Sequence, residues 1–228
     1  MKRRASRYAD ACGTAHTLDL VGDRWALLVA RELMLGPRRF SQLQAALPGI
    51  SPKALSQRLT ELEAHAILFR DKLPPPAAVQ VYELTPWGQE LEAVTAAMGR
   101  WAARSPFRDP GLSISGVSLL LSFRAMLDPA HARGLNARFG FRFGEDRYTA
   151  QLSNGSIHIL AGEQQGEDAL FDGSPDALAM SVYGGVSLDD AEQAGSLHIT
   201  GNRSLAERFI KLFPMPPLAS DRVLRDVQ

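Results

Sequence analysis

The apolar positions in the first part of the chain recur at helical spacing. Across residues 15–35 they return every three or four positions, and Gly22 interrupts the run, which predicts one or two helices. A short helix fits residues 41–47. A longer helix is predicted to begin at Ser51, because serine can cap a helix and Pro52 then takes the first helical position.

Two short β-type runs come next, at residues 67–73 and 79–84, with the stiff segment Pro74 to Pro76 between them. They predict a hairpin. Thr85 and Pro86 repeat the pattern of cap and proline and open a further helix. Its apolar positions alternate in steps of four and three, which predicts a stripe that requires a partner helix. The stripe consists of Trp87, Leu91, Val94, Met98 and Trp101.

A segment rich in proline, glycine and serine predicts a domain boundary after this helix. We expect a first domain at residues 1–104, a linker at residues 105–115, a second domain at residues 116–214 and a tail at residues 215–228. The second domain is expected to begin with a helix.

The second half then changes to the alternation of period two that is typical of strands. Alternating aromatic and aliphatic residues from Phe139 to Ile159 predict short antiparallel strands with a turn at Asn154 and Gly155. Helices are expected at residues 175–183 and 188–194, followed by a strand at residues 197–200 and a last helix. The predicted fold class is α+β, with an antiparallel sheet covered by helices in the second half.

Composition excludes several classes of protein. The chain has 228 residues, of which 45% are hydrophobic and 22% charged, as in folded proteins with a normal core. It has one cysteine, Cys12, and no spaced metal motif, so we expect no disulfide framework, no metal and no cofactor. No segment has the length of a membrane span, and a cytoplasmic location is expected.

The formal net charge of +0 conceals an asymmetry along the chain. Residues 1–108 carry 15 basic and 10 acidic residues, and residues 109–228 carry the reverse, 10 and 15. The two halves therefore differ by ten charges, which predicts two surfaces with different roles.

The order of elements in the first half is that of a winged helix-turn-helix, whose third helix enters the major groove while the hairpin meets the DNA backbone. Lysine and glutamine on that helix could pair with base edges, and arginines around it could neutralise phosphates. The alternative is an ordinary solvated helix face. The candidate DNA-binding residues are Arg38, Arg39, Ser41, Lys53, Ser56, Gln57, Arg58, Thr60, Arg70 and Lys72.

Several motifs of residues 12–103 occur together and in order. They are Cys12 with its spacing to Trp25, the pair Arg39 and Phe40, the segment ISPKALSQRLTELE at residues 50–63, and residues 82–88. This arrangement resembles the HxlR-type branch of winged-helix transcriptional regulators. The resemblance implies a homodimer formed through the terminal helices, with the stripe as its interface, and binding to pseudo-palindromic double-stranded DNA.

Cys12 has two interpretations. In some proteins of this kind a thiol near this position senses electrophiles or oxidants, which makes Cys12 a candidate redox sensor. The alternative is a packed apolar thiol, since free cysteines are often buried.

Residues 116–213 resemble the type-two sterol carrier protein domain. The resemblance rests on the helix start at residues 172–175, on Ala194 and Gly195 before a strand, and on Asn202 before the last helix. It implies a sheet and helices that enclose an apolar tunnel for hydrophobic molecules. Candidate ligand-facing residues, each with plain core packing as the alternative, are Phe139, Phe141, Phe143, Met180, Tyr183, Phe209 and Phe213.

The function expected from these features is a dimeric, sequence-specific DNA-binding transcriptional regulator. Its second domain would bind a small hydrophobic effector or stiffen the dimer. The alternative is a carrier of hydrophobic ligands in which the winged helix serves only dimerisation. An enzyme is not expected, because residues 109–228 contain no recognisable catalytic set.

Overall fold

The computed structural model describes residues 8–73, 78–109 and 111–219 and divides into two compact units. The first unit ends at Thr95 and the second begins at Ala96. The connector Pro74 to Pro76 lies outside the described residues, as do Pro110 of the expected linker and residues 220–228 of the expected tail. The limits of the expected domains stay predictions.

The first unit is a helical domain with one hairpin, in the predicted order. Its elements are α1 (Gly13–Val21), α2 (Ala26–Glu32), α3 (Phe40–Ala46), α4 (Pro52–Ala64), β1 (Leu68–Lys72), β2 (Gln80–Leu84), α5 (Pro86–Gln89) and the first part of α6 (Leu91–Ala102).

The expected run at residues 15–35 forms two helices because the chain turns at Gly22. A Cβ at Gly22 would lie 2.4 Å from the carbonyl oxygen of Leu18, so only glycine fits this close approach. Trp25 then adopts a left-handed conformation, with φ of 79°, as the N-cap of α2. The turn separates α1 from α2.

The predicted caps are confirmed. Ser51 Oγ accepts a hydrogen bond from the backbone N–H of Ala54 at 3.2 Å, and Pro52 is the first residue of α4. Thr85 Oγ1 accepts from the N–H of Gly88 at 3.0 Å and donates to the carbonyl of Ala66 at 2.8 Å. Thr85 thus connects the start of α5 to the segment between α4 and β1.

The helix predicted to follow Thr85 is divided into α5 and α6. The N–H of Glu90 donates to the carbonyl of Trp87 at 3.2 Å, and the N–H of Ala93 donates to that of Glu90 at 3.3 Å. These three-residue bonds form a tighter turn than the α-helix. They interrupt the helix between Trp87 and the rest of the stripe.

The second unit contains a five-stranded sheet in the order β5-β4-β3-β6-β7. Its elements are the remainder of α6, then α7 (Gly116–Met126), β3 (Ala137–Phe143), β4 (Asp146–Ser153), β5 (Ser156–Ala161), β6 (Ala169–Gly173), α8 (Pro175–Tyr183), α9 (Leu188–Gln193), β7 (Leu197–Gly201) and α10 (Arg203–Phe209).

The predicted α+β class is confirmed, and β3, β4 and β5 are antiparallel as expected, but the sheet is mixed and not antiparallel throughout. β3 and β6 are parallel, with Phe139 opposite Ala169. The segment after β5 crosses one face of the sheet, where the N–H of Gln164 donates to Thr149 Oγ1 at 3.2 Å. Gly140 allows this crossing, because a Cβ there would lie only 3.1 Å from the side chain of Glu167 in the crossing segment. The crossing brings β6 to the far side of β3.

The opposite face of the sheet carries the core of the second unit. The helices α7, α8 and α10 contact this sheet. Phe209 of α10 lies at the centre of an aromatic cluster, with ring centroids at 4.4 to 5.7 Å from those of five other phenylalanines. Those five are Phe123, Phe139, Phe141, Phe171 and Phe213.

Candidate nucleic-acid interface

The helix α4 has one buried and one exposed face. Leu55, Leu59 and Leu62 are buried, and the helix contacts α2 and β1. Side chains that are three or four positions apart share a helix face, so burial of the leucines directs the intervening polar residues outward. The exposed residues of this face include Lys53, Ser56, Gln57 and Thr60.

Eight of the ten candidate DNA-binding residues are exposed. Besides the four on α4, they are Arg39 and Ser41 at the start of α3, and Arg70 and Lys72 on β1. Arg70 lies beside Glu63, with Nη2 at 3.0 Å from the carboxylate, and its guanidinium stands 5.9 Å from the ring centre of Tyr82. The exposed set therefore extends from α3 across α4 to the hairpin.

Arg38 differs from this expectation because it is 8% exposed. Its backbone N–H donates to the carbonyl of Tyr82 at 3.0 Å, and the N–H of Tyr82 donates back to the carbonyl of Arg38 at 2.8 Å. This bridge adds Arg38 to the edge of the hairpin and places it inside the domain.

Arg58 also lies inward instead of on the exposed face. Its Nη1 is 2.5 Å from the carboxylate of Asp23 and 2.7 Å from that of Glu61. Asp23 and Glu61 were not identified as site residues from the sequence. The spacing of Arg58 and Glu61, three positions apart on a helix, was the available signal for their pairing.

The apolar stripe is exposed on α5 and α6. Trp87 is 48% exposed, Val94 42%, Met98 49% and Trp101 80%. Leu91 is partly buried. Apolar side chains exposed to this extent on α5 and α6 are unfavourable in water, and patches of this kind are typical of interaction sites.

Cys12 is an exposed free thiol at the N-cap of α1. Its sulfur accepts a hydrogen bond from the backbone N–H of Ala15 at 3.4 Å. This bond and a second from the backbone of Thr14 lower the pKa of Cys12, because they stabilise the thiolate. The sulfur is therefore accessible and more acidic than an ordinary cysteine.

Five of the seven candidate ligand-facing residues of the second unit are buried, and one, Met180, is exposed. Phe139, Phe141, Phe143, Phe209 and Phe213 are buried, and the rings of four of them join the aromatic cluster around Phe209. Met180 is 43% exposed. The phenylalanines thus form core packing, with Phe213 also reaching a cavity at the surface.

That cavity has a volume of about 640 Å³ and lies between the end of α8, the start of α9, α10 and the segment after α10. Of the candidate residues, Tyr183 and Phe213 line it. Burial raises the pKa of Tyr183 to about 12, so its hydroxyl is neutral, and it lies 2.7 Å from Ser122 Oγ. Other lining residues, which were not predicted from the sequence, include Val182, Val186, Leu188, Arg203, Glu207, Ile210, Lys211 and Met215.

The described residues contain no group of three or more histidine, cysteine, aspartate or glutamate side chains that could hold a metal ion. Among the helices in the described ranges, none is long and apolar enough to cross a membrane.

Comparison with protein families assigns the two halves separately. Residues 20–108 match the family model described as HxlR-like helix-turn-helix. Residues 117–218 match the model described as alkyl sulfatase C-terminal. The second match is consistent with the sterol-carrier-like fold that the sequence implied.

Two curated relatives resemble the first half. The HTH-type transcriptional regulator sll1512 of Synechocystis is 45% identical over 87 residues, which are 38% of this chain and 64% of that protein. The HTH-type transcriptional regulator YodB of Bacillus subtilis is 41% identical over 92 residues, 40% of this chain and 80% of that protein. Both alignments leave most of the present chain uncovered.

Two solved structures each resemble part of the chain. Reduced YodB from B. subtilis has a TM-score of 0.38 and 38% identity, and the match covers 45% of this chain and 100% of YodB. The inverting sec-alkylsulfatase Pisa1 from Pseudomonas has a TM-score of 0.40 and 18% identity, and the match covers 42% of this chain and only 16% of the enzyme.

The exposed polar face of α4 and the hairpin beside it occur within the residues that match the HxlR model, and YodB is matched over four fifths of its length. The chain belongs to the HxlR family of helix-turn-helix transcriptional regulators.

Proposed function

We propose that this protein is a homodimer that binds a pseudo-palindromic site in double-stranded DNA and regulates transcription, with α4 of each copy in the major groove. The observation that carries the proposal is the division of α4 into a leucine face that is buried and a polar face that is exposed. A helix of this kind can present short polar and basic side chains to base edges. Such a regulator would act in the cytoplasm, where its DNA lies.

The proposed contacts follow the exposed residues. Lys53, Ser56, Gln57 and Thr60 face the bases, and Arg39, Ser41, Arg70 and Lys72 lie toward the phosphates. Arg38 and Arg58 are left out of the contact set, because they are engaged inside the domain. The excess of basic residues in positions 1–108 supports an electrostatic attraction to DNA.

The dimer is proposed to form through the apolar stripe of α5 and α6. A second copy of the same stripe would remove Val94, Met98 and Trp101 from water, which is the favourable term in most protein association. Twofold symmetry of the protein then matches the symmetry of the operator.

The cavity of about 640 Å³ is the proposed effector site of the second unit. Its volume is typical of sites for small molecules, and its walls combine aliphatic side chains with Arg203, Glu207 and Lys211. A small hydrophobic effector with a polar end fits this lining. By binding one domain arrangement more tightly than the other, the effector would change the free energy of operator binding, typically by about 1–3 kcal/mol.

The same cavity also supports the alternative function, a carrier of hydrophobic ligands in which the winged helix serves only dimerisation. The two functions differ in one respect. A carrier would show no sequence-dependent binding to DNA, whereas the regulator requires it.

Cys12 is proposed as a redox-sensitive or electrophile-sensitive thiol. Its exposure and lowered pKa support this role, since the thiolate is the reactive form of cysteine. Modification of the sulfur would also remove the N-cap of α1, because the sulfur accepts the hydrogen bond from Ala15.

Two lysine variants separate base reading from phosphate contact. Lys53→Ala is expected to lower discrimination between operator and mismatched duplex by about 1–3 kcal/mol, because a base contact is lost. Lys72→Ala should weaken binding to all duplexes alike. It should also reduce the slope of log binding constant against log salt concentration by about 1, because one phosphate contact is lost. Fluorescence anisotropy at several salt concentrations measures both. Equal loss on operator and random DNA in Lys53→Ala would contradict its role.

The dimer interface is tested by a charge within the stripe. Met98→Lys is expected to give monomers in sedimentation experiments, because a second copy would have to bury the ammonium group. Met98 is 49% exposed, so the fold of one copy should tolerate the change. Ala93→Lys, on an exposed position of the same helix outside the stripe, is the matched control and should remain dimeric. A dimer that survives Met98→Lys would refute this interface.

Ligand binding to the cavity is tested by thermal unfolding with a panel of small hydrophobic acids and alcohols. A compound that binds the native state adds RT ln(1 + [L]/Kd) to the free energy of unfolding and thereby raises the melting temperature. Val186→Trp, which fills the cavity, should abolish the shift, and Leu160→Trp at an exposed position should preserve it. A shift that persists in Val186→Trp would exclude the cavity as the site.

The acidity of Cys12 can be measured directly, because it is the single cysteine of the chain. The rate of alkylation by iodoacetamide rises with pH as the thiolate forms. In the folded protein this rise should occur at lower pH than in the urea-unfolded chain, where the bonds from Ala15 and Thr14 are absent. Coincident pH profiles for the two states would show that the cap does not activate the thiol.

A further inference from the structure

Four polar side chains form a continuous network of ion pairs and hydrogen bonds from the residues before α2 to the exposed face of α4. Arg58 Nη1 lies 2.5 Å from Asp23 Oδ2 and 2.7 Å from Glu61 Oε2. The other carboxylate oxygen, Glu61 Oε1, accepts a hydrogen bond from Gln57 Nε2 at 3.1 Å. Gln57 is the exposed member of the four, and the other three are partly buried.

Arg58 and Glu61, the inner part of this network, are held in place by burial and ion pairs. The side chains of Arg58 and Glu61 are only 12% and 18% exposed, and two charge-assisted contacts fix the guanidinium between two carboxylates. Such a contact orients Glu61 before any DNA arrives. Glu61 is thus a fixed acceptor next to the candidate base-reading residue Gln57.

A carboxylate can only accept hydrogen bonds, so the amide of Gln57 must turn its nitrogen toward Glu61. This leaves the carbonyl oxygen Oε1 and one remaining N–H of Gln57 for a base. Adenine offers a matching donor and acceptor, N6 and N7, in the major groove. Guanine offers two acceptors, O6 and N7, one of which would face the carbonyl oxygen of Gln57.

We propose that Glu61, held by Arg58 and Asp23, is a positioning residue that fixes the amide orientation of Gln57 and thereby makes the protein prefer adenine over guanine at the base pair that Gln57 reads. The inference rests on the proposed binding of DNA by α4. Glu61 itself touches no base. Without Glu61, the amide rotates freely and both of its N–H groups are available to donate to the two guanine acceptors, O6 and N7.

The experiment measures base preference, a quantity that general loss of stability does not change. Duplexes with a randomised half-site are selected by the unchanged full-length protein, and anisotropy then compares adenine with guanine at the Gln57 position. The unchanged protein should prefer adenine by about tenfold or more, the range of a good bidentate contact. In Glu61→Ala the preference should fall to about twofold.

Three variants make the result specific. Gln57→Ala should lose the same preference, and the double variant Gln57→Ala with Glu61→Ala should lose nothing more, because Glu61 acts through Gln57. Glu63→Ala removes a carboxylate of the same helix that pairs with Arg70, and it should keep the preference. Glu61→Gln preserves the shape of the side chain but adds a donor, so it should behave like Glu61→Ala and cover the case in which the alanine variant does not fold.

The outcomes separate this inference from the function on which it rests. If the unchanged protein shows no sequence-dependent binding, the proposed function fails and the inference fails with it. If the unchanged protein prefers adenine and Glu61→Ala retains that preference, only the inference is overturned. Additive losses in the double variant would likewise overturn it, since they would show that Glu61 does not act through Gln57.

Discussion

The burial of three leucines of α4 is the interaction on which the first unit depends. Leu55, Leu59 and Leu62 are held against α2 and β1, and this contact fixes the rotation of α4 about its axis. A different rotation would expose the leucines at a cost of about 1.5–3 kcal/mol for each fully buried side chain. The polar face of α4 is therefore directed outward by the core itself, before any ligand is present.

The rest of the unit adds fixed points around this helix. Ser51 caps the start of α4, and Thr85 caps the start of α5, which follows the hairpin. The backbone bridge between Arg38 and Tyr82 connects the start of α3 to β2. Arg58 couples α4 to Asp23. The exposed residues that are proposed to contact DNA are thus carried on a frame in which Arg38, Arg58 and the leucines of α4 are directed inward.

The second unit follows a different constraint. The crossing segment over Gly140 occupies one face of the sheet, so the phenylalanine face must carry the core. The rings around Phe209 fill the space between the sheet and its helices. The cavity accordingly lies at the side, where the ends of α8 and α10 meet the chain after α10.

Local periodicity accounts for what the sequence predicted well. The spacing of the leucines predicted the buried face of α4, and the alternation of Phe139, Phe141 and Phe143 predicted one face of a strand. Periodicity could not reveal that Arg58 pairs with Asp23, because that partner lies on a distant segment.

Two other features depended on the assembled fold. β6 is a five-residue strand whose place in the sheet depends on the crossover before it, so it was not predicted. The cavity walls come from several segments, and whether a phenylalanine fills a core or lines a cavity depends on the rings packed against it.

Sequence-specific binding of DNA by α4 and its surroundings is the property on which the proposed function depends. The most direct measurement is fluorescence anisotropy of the full-length protein on the DNA that flanks its own gene, against a scrambled duplex, at two salt concentrations. A sequence-specific regulator should bind the native flank more tightly than the scrambled duplex, with an affinity that falls steeply as salt rises. Equal or absent binding to both duplexes at both salt concentrations would contradict the proposed function.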